Sequence, residues 1–378
     1  MKIVYCIDGM YGFGGIERIV SSKMNWLVEN GHDVTFLTTN QGGNSFDFPL
    51  DARIKYENIG VNYEEDNVLH PLKRYFRAWY KSRGHLKKLE DALFRIKPDI
   101  TITASRYTVP LLHQIKDGSK KVVEIHSSRY TKILQQPIST PIRRMLGRFL
   151  IWWNDQSLKK YDRCVILTEE ERGVFEHLGN VEVIPNMSPF ATDKPSSCTG
   201  KKVLAAGRFA YQKNFKEMVD IWEMVHTEFP DWQLEIVGEG YLYPQVKEYV
   251  ETKGLSDSIL LPGTSTQMPE KMRSASIYAL TSHYEGLPMV LIEAQVMGLP
   301  IVSYKCPSGP SDIVSDGVDG FLIPKYDKRC FADKLKKLMA DESLRKNMGE
   351  AGISASKRFD KEVIMKRWET LFDCLMRR

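Results

Sequence analysis

Short apolar runs alternate with longer amphipathic stretches along this chain. Lys2 to Ile7, Asp33 to Leu37, Asp99 to Thr103, Lys121 to Ile125 and Arg163 to Leu167 are strand-length, with helix-length stretches between them. Apolar strands alternating with helices are the pattern of βαβ units around a parallel sheet, whose strands are covered on both faces. Between the first two runs, Ile16, Ile19, Val20, Met24, Leu27 and Val28 recur at helical spacing and stop at Asn30-Gly31, a C-cap signal. The chain therefore opens as strand, glycine-rich turn, helix.

The rhythm breaks at Ile184-Pro185-Asn186, at Ser188-Pro189 and through the polar run from Asp193 to Lys202, then restarts with Lys202-Val203-Leu204-Ala205-Ala206-Gly207. Gln233 to Val237, Ile277 to Thr281, Pro300 to Ser303 and Gly320 to Ile323 continue it. At 378 residues the chain exceeds the usual single core. The pattern predicts two α/β domains, 1–187 and 188–358, with a cleft available between them. A last amphipathic helix, about Lys361 to Met376, falls in a segment 359–378 expected to return to the first domain.

Charge and cysteine usage narrow the class. Lys plus Arg number 53 against 48 for Asp plus Glu, and this formal +5 is too mild to mark a nucleic-acid binder. The six cysteines form neither a CxxC pair nor a Cys/His cluster spaced for zinc, so no metal is expected and a reduced, cytoplasmic protein fits. The first residues run straight into a strand without the features of a signal peptide, and no stretch approaches the apolar length of a membrane span. Any membrane contact is expected to be peripheral, at the inner face of the cell membrane.

Three segments carry candidate chemistry. Gly9-Met10-Tyr11-Gly12-Phe13-Gly14-Gly15 leads into a helix, where backbone amides and the positive helix end favour an anion, although its spacing is not that of a dinucleotide-binding turn. The densest cluster is Thr281-Ser282-His283-Tyr284-Glu285-Gly286-Leu287-Pro288-Met289-Val290-Leu291-Ile292-Glu293-Ala294. Gly286 and Pro288 predict a sharp turn into a helix with Pro288 at its first position, leaving the amides of Met289, Val290 and Leu291 for an anion such as a diphosphate. Glu285 and Glu293 would repel phosphate, so sugar and ribose hydroxyls are their natural partners. Gly207-Arg208-Phe209-Ala210-Tyr211-Gln212-Lys213 follows the first strand of the second half, at a carboxyl end where ligands gather. Arg208 can grip phosphate bidentately and Lys213 can add a point charge; together they could replace a divalent metal on a leaving diphosphate. Taken singly, the glutamates equally well solvate an ordinary helix and the cations decorate a loop.

Glu285 to Glu293 forms the Glu-x7-Glu motif of the retaining GT-B glycosyltransferases of family 4. With Arg208 and Lys213, Gly238-Glu239-Gly240 and Gly14-Gly15-Ile16-Glu17-Arg18 in the family's order, the chain resembles that family along essentially its whole length. The resemblance implies two Rossmann-like domains facing each other across a cleft, and retaining transfer of a sugar from a nucleotide diphosphate without a cofactor. By it, Glu293 would bind the ribose hydroxyls, Glu285 the donor sugar, and Arg208 with Lys213 the diphosphate. Gly14 and Gly15 would close over the diphosphate, Gly207 and Gly238 would also bind the donor, and Pro262-Gly263-Thr264 would hold the base. His126 matches a position beneath the donor sugar; a packed strand-end histidine is its other reading. Ser308-Gly309-Pro310-Ser311-Asp312 stands where the family often has Gly-Gly-x-x-Glu. The form Cys306-Pro307-Ser308-Gly309-Pro310 resembles bacterial polysaccharide and lipopolysaccharide hexosyltransferases that use UDP-galactose, UDP-glucose or an N-acetyl relative. It implies a glycan or lipid-linked acceptor.

On the acceptor side, 71–88 holds Lys73, Arg74, Arg77, Lys81, Arg83, Lys87 and Lys88 with no acidic residue, interleaved with Leu72, Tyr75, Phe76, Trp79 and Tyr80. The run 141–153 likewise mixes Arg143, Arg144 and Arg148 with Met145, Phe149, Trp152 and Trp153. Such segments bind anionic membrane surfaces, or else pack their apolar face on the core. Nucleic-acid binding would leave the ordered Glu, Arg and Gly motifs without a purpose. A sugar-nucleotide-binding protein without turnover, or a phosphorylase or epimerase of the same architecture, would use the same phosphate grip.

Overall fold

The computed structural model describes residues 1–11, 15–126, 128, 141–192 and 194–377. Its strands form two sheets. The first contains β1 (Lys2–Ile7), β2 (Asp33–Thr38), β3 (Lys55–Asn58), β4 (Ile100–Thr103), β5 (Lys120–Ile125), β6 (Arg163–Ile166) and β7 (Val181–Val183), in the order β3-β2-β1-β4-β5-β6-β7. The second contains β8 (Lys202–Ala206), β9 (Gln233–Val237), β10 (Ile259–Leu260), β11 (Ile277–Leu280), β12 (Ile301–Tyr304) and β13 (Gly320–Ile323), in the order β10-β9-β8-β11-β12-β13. Every pairing between these strands is parallel. In each sheet the order reverses next to the opening strand, β1 against β4 and β8 against β11. That reversal opens a crevice at the carboxyl ends of the strands.

The strands expected from the sequence are present to within a residue or two. Three that it did not predict, β3, β7 and β10, each lie at a sheet edge. Their sequences Lys-Tyr-Glu-Asn, Val-Glu-Val and Ile-Leu are short or polar because an edge strand need not be apolar on both faces.

The helix Gly15–Glu29 covers one face of the first sheet and ends as its sequence predicts. Gly31 is left-handed (φ 82°), its amide donates to the Val28 carbonyl at 3.2 Å, and His32 donates to Leu27 at 3.0 Å. The last helix, Lys361–Met376, buries Ile364, Met365, Trp368, Leu371, Phe372 and Leu375 in that same core, with Ile3, Tyr5, Val20 and Met24. The end of the chain thus packs on the first half. On the opposite face, Leu89, Ala92 and Leu93 of the helix Pro71–Ile96 and Leu158 of the helix Pro141–Leu158 pack with Val4, Cys6 and Val123. Residues from beyond the carboxyl ends of the two sheets touch: the hydroxyls of Ser128 and Ser308 are 3.0 Å apart, and the Glu169 amide donates to the Asp312 carboxylate at 2.7 Å.

Candidate functional site

The second-half wall of the cleft is built from loops after β8, β9 and β11. Gly207 follows β8, and Gly238 follows β9 at a left-handed φ of 141°; a Cβ on Gly238 would lie 2.0 Å from the Gly207 carbonyl oxygen. The two loops therefore stack backbone on backbone, which a side chain at 238 would prevent. Their amides serve the scaffold, Gly207 donating to Val237 at 2.9 Å and Gly238 to Gly263 at 2.8 Å. Arg208 is exposed beside this stack, and so is Thr264 in the loop after β10.

Glu285 and Lys213, given separate tasks in the sequence, form one unit here. Lys213 Nζ lies 2.7 Å from Glu285 Oε1, with the two side chains 13% and 6% exposed. Gln212 Nε2 donates to the other carboxylate oxygen at 3.1 Å and to the Tyr284 carbonyl at 3.1 Å. The Glu285 amide donates to the Pro307 carbonyl at 3.0 Å. A nearly buried carboxylate needs such partners, and each oxygen has one.

The helix Met289–Val296 starts one residue later than predicted. Pro288 occupies the cap, with φ −71° and an extended ψ of 91°, and the Leu291 amide donates to the Pro288 carbonyl at 2.9 Å. Proline's fixed φ suits either position, and the extended ψ places it outside the helix. Leu291 is therefore not available to an anion. The amides of Met289 and Val290 make no hydrogen bond among the described residues. Inside the helix, Glu293 is buried, and burial raises its carboxyl above the usual carboxylate range, opposed by Arg18. Arg18, on the first-half helix, reaches across the cleft to Glu293 Oε1 at 3.6 Å.

On the first-half wall, His126 follows β5. Its carbonyl oxygen lies 3.0 Å from where a Cβ on Gly286 would stand, so the two walls abut here. His126 Nε2 is 3.0 Å from Glu124 Oε2, which also receives Lys23 Nζ at 2.7 Å. Burial pushes the Glu124 carboxyl up, but the Lys23 ammonium and the His126 ring outweigh it and hold the group at about 2. His126 also borders a cavity of about 330 Å³, shared with Asp8, Ile16, Arg106, Asn154 and Asp155. Burial raises the Asp8 carboxyl, and the Ser105 hydroxyl that donates to it works the other way. Gly15 is the exposed first residue of its helix, while Gly14 lies outside the described residues.

The segment that departs from Gly-Gly-x-x-Glu makes the seam between the halves. The Ser308 amide donates to Glu170 at 3.1 Å and its hydroxyl to Glu171 at 3.2 Å. The first-half helix Glu169–Phe175 is capped by Thr168, and Asp312 adds to that cap from the other half, accepting from the amides of Glu169 at 2.7 Å and Glu170 at 3.3 Å. Sequence reasoning singled out none of Arg18's ion pair, Lys23, Glu124, Gln212, Glu170 or Glu171. Each acts through a partner far away in the chain, and only the Glu-x-His spacing before His126 offered a local hint.

Two family models match the chain in succession: residues 13–187 match Glycosyltransferase Family 4, and residues 191–355 match Glycosyl transferases group 1. The chain belongs to the group 1 glycosyltransferases. This glycosyltransferase is 28% identical over 387 residues to the amylovoran biosynthesis glycosyltransferase of Erwinia amylovora, covering 98% of the chain and 99% of that protein. It is 27% identical over 350 residues to the lipopolysaccharide 1,6-galactosyltransferase of Salmonella typhimurium, covering 90% of each. Among solved structures, the lipopolysaccharide outer core galactosyltransferase WaaB in its apo form aligns over 98% of each chain with a TM-score of 0.72 at 19% identity. Anabaena HepE in complex with UDP and glucose aligns over 98% of this chain and 99% of its own, with a TM-score of 0.74 at 16% identity. At those identities the structures establish a shared fold, GT-B, which the two facing parallel sheets of this glycosyltransferase display.

Proposed function

We propose that this glycosyltransferase moves a hexose from a UDP-sugar, with retention of anomeric configuration, to a glycan or lipid-linked acceptor in cell-surface polysaccharide assembly. The observation that carries the reading is the nearly buried Lys213–Glu285 pair at 2.7 Å, beside exposed Arg208. Arg208 and Lys213 would bind the diphosphate together with the amides of Met289 and Val290. Their effect is greatest in the transition state, where charge builds on the leaving group, and in this reading no metal or other cofactor shares that task. Glu285, steadied by Gln212, would accept hydrogen bonds from donor-sugar hydroxyls. Glu293, its charge offset by Arg18, would take the ribose hydroxyls.

His126 would form the opposite wall beneath the sugar, and the cavity of about 330 Å³ beside it would receive the acceptor. The acceptor hydroxyl would attack from the face the diphosphate leaves. As the sugar C–O bond to phosphate breaks, the new glycosidic bond forms and the hydroxyl proton passes to a departing diphosphate oxygen. Relatives support the choice of chemistry: the Salmonella protein is named a galactosyltransferase, the Erwinia protein serves amylovoran biosynthesis, and HepE was solved with UDP.

The test is to incubate the protein with UDP-galactose, UDP-glucose, UDP-N-acetylglucosamine and GDP- and ADP-sugars, and to follow the anomeric protons by NMR. One UDP-hexose should be hydrolysed slowly, releasing sugar that first appears in the donor's configuration. Release of the opposite anomer, or silence across the panel from folded protein, would overturn the reading.

A further inference from the structure

The helix Pro141–Leu158 carries an apolar stripe on its solvent side. Met145, Phe149, Trp152 and Trp153 fall at i, i+4, i+7 and i+8, a single helical face, and are 71%, 53%, 53% and 60% exposed. A stripe at this spacing ordinarily faces a core. Here the rings gather on one another, Phe149 lying 5.9 Å from Trp152 and 6.3 Å from Trp153 between centroids. Burial begins only at Asp155 among the described side chains of this helix. The helix Pro71–Ile96 repeats the arrangement, with Trp79 and Tyr80 exposed, Arg83 stacked on Trp79 at 4.0 Å, and His85 the first buried side chain among those described.

Length and direction explain where these faces lie. At 26 residues the second of these helices is about 39 Å long, whereas the four-residue strand β4 that follows it spans about 13 Å. Its N-terminal half must overhang the sheet. Both helices precede strands of a parallel sheet, so they run against the strands, and their N-terminal halves stand at the carboxyl edge that bears His126 and the cleft. They also share a face of the sheet, since Leu89, Ala92, Leu93 and Leu158 join one core cluster and both helices pack against the short helix Val109–Leu112.

We propose that these two overhanging helix ends seat the protein on an anionic lipid bilayer, with the acceptor-side mouth of the cleft turned toward the lipid. Charge complementarity selects the occupant. The run 71–88 has seven cations and 141–153 three, with no acidic residue in either. Arg77 and Lys81 are tied to Asp66 at 3.1 and 2.8 Å, while Lys73 and Lys87 are exposed without an ion pair among the described residues. Tryptophan and tyrosine beside cations favour the headgroup region, where an apolar ring and a polar edge are both satisfied. No described helix is long and apolar enough to cross a membrane. The surface rests on exposure and charge, independently of the donor chemistry proposed above.

The experiment uses the full chain with vesicles of phosphatidylcholine, with and without phosphatidylglycerol, and reads flotation and quenching of tryptophan fluorescence by brominated lipids. Trp26, Trp222, Trp232 and Trp368 are at most 4% exposed, so quenching reports on Trp79, Trp152 and Trp153. The expected result is binding only to the anionic vesicles, release at about 0.5 M salt as charges are screened, and quenching by lipids brominated near the headgroup. The double variant Trp152→Ser/Trp153→Ser should lose vesicle affinity at least tenfold, and Lys73→Glu/Lys87→Glu should weaken it, with UDP binding and melting temperature unchanged in both. Absence of anionic-vesicle binding, or binding unaltered in the tryptophan variant, would overturn the proposal. So would an oligomer that the tryptophan variant dissociates, since a second copy would then be what covers the stripe.

Discussion

Glu124 links a buried lysine to the histidine of the cleft. Lys23 and Glu124 are both 1% exposed at the side chain and 2.7 Å apart, and Trp368 covers the Lys23 ammonium at 4.4 Å from the ring centroid. Removing one partner of a buried pair leaves the other uncompensated, so Glu124→Gln should cost roughly 3–5 kcal/mol at neutral pH in denaturant unfolding. The sign of its pH dependence follows from the direction of the shift. The Lys23 ammonium and the His126 ring hold the Glu124 carboxyl at about 2 in the folded chain, below the 4.5 of an ordinary glutamate. Its contribution is therefore complete above about 4.5 and is lost as the pH falls toward 2. The gap between wild type and Glu124→Gln should be constant from pH 7 to 5 and shrink below 4.5; a gap unchanged down to pH 3 would contradict the assignment. Lys213→Met removes the cation beside Glu285, and kcat should fall about 10²- to 10³-fold with a smaller change in KM. His126 could be read from the sequence because it ends an apolar strand within a family pattern. Lys23 could not, because it contacts Glu124 across 101 positions.

At the scale of elements, the central strands were legible because burial on both faces requires continuous apolar runs. The edge strands β3, β7 and β10 were not, because their burial is incomplete. The helix after β11 was placed one residue early, since proline's φ does not separate a cap from a first turn. The final helix was visible as an amphipathic pattern and was expected on the first half; what the sequence did not show is which side chains it buries there, with Trp368 fully buried against the first sheet's core. Trp368→Ala should destabilise the protein by about 3–5 kcal/mol, read as a lowered denaturant midpoint. A surface-sized effect of a few tenths would mean that the helix does not dock. Asp312→Ala removes the acceptor of the Glu169 and Glu170 amides while leaving the Thr168 cap in place, so it should cost about 0.5–1.5 kcal/mol, and proteolysis at the seam between the halves should quicken.

At the scale of the whole molecule, two parallel sheets meet at their carboxyl ends, where His126 abuts Gly286 and Arg18 reaches Glu293. The first half supplies His126, Arg18 and the cavity beside Asp8. The second supplies the Lys213–Glu285 pair, exposed Arg208 and the start of the helix Met289–Val296. The ordering of these motifs along the chain was legible in the sequence. The pairings between halves, Arg18 with Glu293 and Ser308 with Glu170 and Glu171, were not, because periodicity carries no information about which loops face each other.

Calorimetric titration of UDP into wild type and Arg208→Ala tests the assignment of the cleft most directly. UDP should bind the wild type at one site. A charge-assisted contact contributes roughly 1.5–3 kcal/mol, so Arg208→Ala should bind about 10- to 100-fold more weakly with unchanged stability. Equal affinity in the two proteins, or no UDP binding by the folded wild type, would contradict a diphosphate site at Arg208.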